Sequence, residues 1–81
     1  MKVRVRLFAV AKQVAGRDSV ELDLPEGATI AQLREQLGAR VPPLSGIVAQ
    51  MMFAVDVQYA NDQTRIPPGA DVACIPPVSG G

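Results

Sequence analysis

Two runs of alternating residues constrain this chain more than any other feature. Val3, Val5 and Leu7 alternate with Lys2, Arg4 and Arg6, and Val20, Leu22 and Leu24 alternate with Ser19, Glu21 and Asp23. A period of two marks a strand with one buried face and one wet face. The short link between the runs makes an antiparallel pair the simplest arrangement. Within that link Phe8 to Ala15 has helical character, and Gly16 is placed to end it as a left-handed cap.

Pro25-Glu26-Gly27 then turns the chain. Thr29 offers an N-cap hydroxyl with Gln32 three residues on, a capping-box pattern. Ile30, Leu33 and Leu37 follow at helical spacing, with Gly38 expected as the C-cap. Pro42-Pro43 forbids continuation and opens an irregular connection. Met51 to Val57 is apolar and β-prone, with Met51, Phe53 and Val55 on one face. Tyr59-Ala60 reads as a short edge strand ended by Asn61-Asp62. Pro67-Pro68-Gly69 signals a turn in which Gly69 supplies the positive φ of type II, and Asp71 to Ile75 reads as the last strand. The order predicts an α+β domain with a mixed sheet of four to five strands packed on one main helix. That is the ubiquitin-like β-grasp plan, expected over residues 1–75, with a flexible C-terminal tail over residues 76–81.

A chain of 81 residues supports one domain and a modest core, with net stability of about 3–5 kcal/mol. Eight basic and eight acidic residues leave no net field to attract nucleic acid or a membrane surface. Lys2, Arg4 and Arg6 read as the solvated face of a strand rather than a nucleic-acid patch. No run is long and apolar enough to span a bilayer, and no secretory leader pattern is present, so a cytoplasmic location is expected. With one cysteine and no histidine, neither an internal disulfide nor a metal site built by this chain is expected. The missing histidine also removes the commonest general base, so the chain is not expected to be an enzyme by itself.

The chemistry is expected in the tail, Pro76-Pro77-Val78-Ser79-Gly80-Gly81. The two prolines lack amide donors, end strand pairing and hold the following residues outward. At 3.3–3.6 Å per residue such an arm reaches about 20 Å. Gly80 and Gly81 lack Cβ atoms, so the backbone can thread a narrow channel and leave the Gly81 carboxylate open to attack. A carboxylate becomes reactive to acyl substitution once ATP converts it to an acyl-adenylate. Chain ends are commonly small, polar and idle, so a terminal Gly-Gly alone decides nothing. It gains meaning from its conjunction with a β-grasp pattern, a final strand and a diproline.

Phe8-Ala9, Leu24-Pro25-x-Gly27-Ala28-Thr29, Ala54-Val55 and Pro68-Gly69-Ala70-Asp71-Val72-Ala73 occur in an order that, with the tail, resembles one known family. The chain resembles the MoaD-type small subunits of molybdopterin synthase, in the MoaD/ThiS ubiquitin-like sulfur-carrier family. The resemblance runs over essentially the whole chain, and the tail is its most specific part. It implies a sulfur carrier whose Gly81 is adenylated by a MoeB-type, nucleotide-binding enzyme using ATP. A sulfur donor, a sulfurtransferase or cysteine desulfurase, then converts Gly81 to a thiocarboxylate (1-thioglycine). The tail enters the large subunit of molybdopterin synthase and gives sulfur to cyclic pyranopterin monophosphate in molybdenum cofactor biosynthesis. The resemblance further implies a heterotetramer with catalytic lysines in the large subunit, and no cofactor bound to this chain.

By the same resemblance Phe8, Tyr59 and Ile75 match apolar positions presented to partners, and Phe8 reads equally well as core. Asp56 stands where the family often has Asn, and Lys12 where Arg is frequent. Cys74 lies in the apolar run Val72 to Ile75 with no base beside it, and reads as a small buried hydrophobe rather than a nucleophile. Alternatives are a sulfur carrier for thiamin thiazole or cysteine synthesis, a protein modifier conjugated through Gly81, and a β-grasp binding module whose tail is idle.

Overall fold

The computed structural model describes residues 1–77. The first alternating run forms β1 (Lys2–Leu7) and the second β2 (Ser19–Asp23), paired antiparallel from Lys2 opposite Asp23 to Arg6 opposite Ser19. Val3, Val5, Leu7, Val20 and Leu22 are buried. The other face sets Lys2 opposite Asp23 and Arg4 opposite Glu21, a favourable cross-strand pattern.

Helix α1 spans Val10–Ala15, and Gly16 (φ 72°) closes it by donating its N–H to the Lys12 carbonyl at 2.9 Å. The helix does not begin at Phe8 as the sequence suggests. The Phe8 N–H donates to the Cys74 carbonyl at 3.1 Å, so Phe8 prolongs the sheet ladder instead. Ala9 then takes φ 51°, ψ −125°, and the Ala11 N–H closes a turn onto the Phe8 carbonyl at 3.1 Å. These angles are those of the first central residue of a type II′ turn, a glycine position.

Helix α2 spans Ile30–Arg40 behind the expected capping box. The Thr29 hydroxyl accepts from the Gln32 N–H at 3.4 Å, and the Gln32 amide oxygen accepts from the Thr29 N–H at 2.9 Å. Ile30, Leu33 and Leu37 form its buried stripe. Gly38 is interior to the helix rather than its cap. A Cβ there would stand 3.3 Å from Val48 Cγ1, so the missing side chain admits the following connection against the helix. That connection holds two 3₁₀ turns, Pro42–Leu44 and Val48–Gln50, which bury Leu44 and Val48.

β3 (Met52–Val55) and β4 (Gln58–Ala60) form a hairpin closed by Asp56 and Val57. The strand expected to reach Val57 therefore stops at Val55. Both turn residues have positive φ, 49° and 61°, the type I′ pattern, whose usual sequence is Asn-Gly or Asp-Gly. Each left-handed residue costs an L-amino acid with a Cβ roughly 1–2 kcal/mol. Ala70 N–H to Pro67 carbonyl (3.1 Å) with Gly69 at φ 75° completes the anticipated turn before β5 (Val72–Ile75).

The sheet order is β2-β1-β5-β3-β4, with β1 and β5 parallel and every other pair antiparallel. One main helix on a mixed five-stranded sheet is the β-grasp fold. Its core gathers Phe53, Leu22, Ile30, Leu33, Leu37, Leu44 and Ile66, and among the described residues no charged or polar side chain is buried. No helix among the described residues is long and apolar enough to cross a membrane.

Candidate functional site

The outer face of the sheet divides into two halves of different chemistry. Over β2 and β1 it carries Glu21, Asp23, Lys2, Arg4 and Arg6. Over β5, β3 and β4 the register makes it apolar. Val72 and Cys74 face the core opposite Val55 and Phe53, so Ala73 and Ile75 face outward with Ala54 and Met52. Tyr59 stands opposite Ala54 and points the same way.

Small residues at the centre and large ones around them produce a groove of about 480 Å³. Ala54 and Ala73, paired across the strands, form its floor; Phe8, Tyr59, Val57, Ile75 and Pro76 stand around it. Phe8 is 40% exposed and Tyr59 62% exposed, so Phe8 belongs to the surface and not to the core. The structure thus brings Phe8, Tyr59 and Ile75 to one groove, joined there by the tail's first residue, Pro76.

A polar clamp closes one end. Arg6 makes a bidentate pair with Asp71, Nε to Oδ1 at 3.0 Å and Nη2 to Oδ2 at 2.7 Å. Its guanidinium lies 5.4 Å from the Phe8 ring centroid, within cation–π range. Asp71 is also bound through its backbone. Its N–H donates to the Asp56 carboxylate at 3.0 Å, and its carbonyl accepts from the Asp56 N–H at 2.8 Å. Asp56 is one of the few residue types at ease in left-handed backbone, and its carboxylate ties the β3–β4 turn to the start of β5.

Cys74 lies directly beneath this face but points into the core, 1% exposed. Burial pushes its thiol up to about 11, the Arg34 guanidinium opposing in part, so the thiolate is absent at neutral pH. Lys12, on α1, pairs with Asp18 at 3.0 Å and does not line the groove. Of the tail, Pro76 is half-buried at the rim and Pro77 exposed. Val78, Ser79, Gly80 and Gly81 lie outside the described residues.

Val57 and the pairing of Arg6 with Asp71 are groove features that the sequence does not mark, and Ala9 is marked only as part of the Phe8-Ala9 motif. Nothing local marked Val57, because an apolar residue between Asp56 and Gln58 looks like continuing strand.

The ThiS family model matches residues 5–81. The molybdopterin synthase sulfur carrier subunit of Chlamydomonas reinhardtii is 34% identical, over 100% of both chains. SAMP1 (small archaeal modifier protein 1) from Haloferax volcanii superposes with a TM-score of 0.87 at 26% identity, over 100% of both chains. A putative molybdopterin converting factor, subunit 1, from Pyrococcus furiosus gives a TM-score of 0.83 at 31% identity, covering 96% of this chain and 99% of that one. The family model over residues 5–81 and a relative 34% identical over the whole of both chains carry the same conclusion: the chain belongs to the ThiS family.

Proposed function

We propose that this chain is the sulfur carrier subunit of a molybdopterin synthase. One observation supports the reading above the rest: the exposed apolar side chains Phe8, Val57 and Tyr59 stand around one groove at the root of the tail. The relative from Chlamydomonas reinhardtii bears the name of that subunit, and a subunit works on a partner.

In this reading Gly81 is the reactive residue. A MoeB-type enzyme transfers the AMP moiety of ATP to the Gly81 carboxylate with loss of pyrophosphate. The persulfide sulfur of a sulfurtransferase or cysteine desulfurase then displaces AMP to give an acyl disulfide, and a thiol reductant cleaves its S–S bond to leave the thiocarboxylate, the thiol being oxidised to a disulfide. The arm Pro76–Gly81 carries it into the large subunit, where it is given to cyclic pyranopterin monophosphate. The carrier domain's task is positional. Its groove holds the partner at the root of the arm, so the thiocarboxylate is delivered intramolecularly within the complex. No cofactor is held by the carrier; ATP acts in the activating enzyme, and sulfur travels as 1-thioglycine.

Intact mass spectrometry tests this directly. Incubation with an activating enzyme, ATP and a sulfur donor is expected to replace one terminal oxygen by sulfur, adding about 16 Da, and deletion of Gly81 abolishes the change. Adding the large subunit and its substrate then returns the original mass. An unchanged mass beside competent partners, or sulfur located on Cys74, overturns the assignment. The likeness to SAMP1 favours a second reading, in which activated Gly81 forms an isopeptide with lysines of target proteins. Purification under denaturing conditions distinguishes it: ladders of covalently attached chain appear only if conjugation occurs.

A further inference from the structure

Positive φ is distributed unevenly over this molecule. Gly16, Gly27 and Gly69 take it in three turns, where glycine removes the strain. Among the described residues, the non-glycine residues with positive φ are Ala9, Asp56 and Val57. Ala9 and Val57 both line the apolar groove, and Asp56 binds Asp71 at its polar end. Among the described residues, left-handed backbone elsewhere is therefore carried by glycine, while around the groove it is carried by residues with side chains. Strain concentrated in one place marks residues retained for something other than folding.

Val57 is the sharpest case. A β-branched residue is a true outlier in the left-handed region, and the second position of a type I′ turn favours glycine. Val57 is 89% exposed, so its side chain adds almost nothing to the core. Local backbone energetics and burial both favour glycine there, yet an apolar side chain stands at the groove rim.

We propose that Val57 is a partner-contact residue, inserting into an apolar recess of the large synthase subunit beside Phe8 and Tyr59. The inference rests on the sulfur-carrier reading. The large subunit is the chosen occupant because of where the arm begins. Pro76 lines the groove, and a protein that takes up Gly81 is held within the arm's reach of about 20 Å from that rim. The polar end of the groove is already neutralised by the Arg6–Asp71 pair, so the matching surface is apolar rather than charged. Ala9 supports the same edge by holding Phe8 at the surface through its turn.

The test compares wild type with Val57→Gly and Val57→Ile, by thermal melting and by calorimetric titration against the purified large subunit. Val57→Gly is expected to raise the melting temperature by about 4–8 °C, the shift typical of a modest gain in a domain this small. It is also expected to weaken binding about fivefold to tenfold. Val57→Ile retains the binding and the lower melting temperature. Stability and affinity moving in opposite directions excludes misfolding as the cause. Val57→Gly binding within twofold of wild type overturns this inference and leaves the sulfur-carrier reading intact. Wild type that neither binds the large subunit nor acquires sulfur overturns both. Concentration-dependent self-association abolished by Val57→Gly, or tighter binding after removal of residues 78–81, reassigns the groove to a second copy or to the chain's own tail, and overturns the proposal.

Discussion

The Arg34 guanidinium reaches from α2 to the carbonyls of Val48 and Met51, both at 2.7 Å, and to the Asp62 carboxylate at 2.9 Å. It also stacks 4.9 Å from the Phe53 ring centroid. Its side chain is only 21% exposed, and its bonds to those carbonyls are partly buried. Arg34→Met is expected to cost about 2–4 kcal/mol, because the carbonyls lose their donor while the stem's packing is kept. Arg34→Lys recovers little, since one ammonium cannot reproduce the planar fork. Denaturant midpoints check both. Cys74 gives a pH signature. Its thiol is raised by burial to about 11 from 9.0, so the unfolded chain loses that proton first. The stability linked to this group is intact below pH 9 and is lost as pH rises through 11, by up to about 2–3 kcal/mol. Cys74→Ala is expected to remove that slope, and urea titrations across the alkaline range will show whether it does.

Among the elements, α2 shows how tightly a helix can be committed to its neighbours. Gly38 within it faces Val48 at 3.3 Å from where a Cβ would stand, with the Ser45 Cα at 3.7 Å. Gly38→Val is expected to destabilise by about 1–3 kcal/mol through overpacking, despite the better helix propensity of a residue with a side chain. Thermal denaturation decides it. The same position shows what could be read in advance. β1, β2, the start of α2 and the turn at Gly69 were legible because their signals are local: alternation, a capping box, a glycine where φ must be positive. The end of α2 was misjudged because Gly38 serves a contact with Val48 that no local pattern reveals. Phe8 was read as helical because its ladder partner, Cys74, lies near the other end of the chain. The hairpin at Asp56-Val57 was hidden because it lacks the glycine that such turns advertise. Phe8, Tyr59 and Ile75 could be singled out by resemblance, but a common groove follows only from the register that pairs Ala54 with Ala73.

At the scale of the molecule, one sheet does two jobs with its two faces: the inner one packs the core, and the outer one is half charged and half apolar. The strand that leads into the tail is not at an edge. β5 lies third of five, with β1 parallel on one side and β3 antiparallel on the other. That arrangement has a mechanical consequence. A pull on the residues beyond Pro77 is transmitted along β5, where ladder bonds on both flanks bear the load together in shear rather than opening one at a time. A partner can therefore draw the arm taut without unravelling the domain behind it. Stretching the molecule between the tail and β1 should give a high rupture force. Stretching it between the tail and β4, across the sheet, should separate the strands at lower force. The carrier is in this sense a handle, stiffest along the line on which it is pulled.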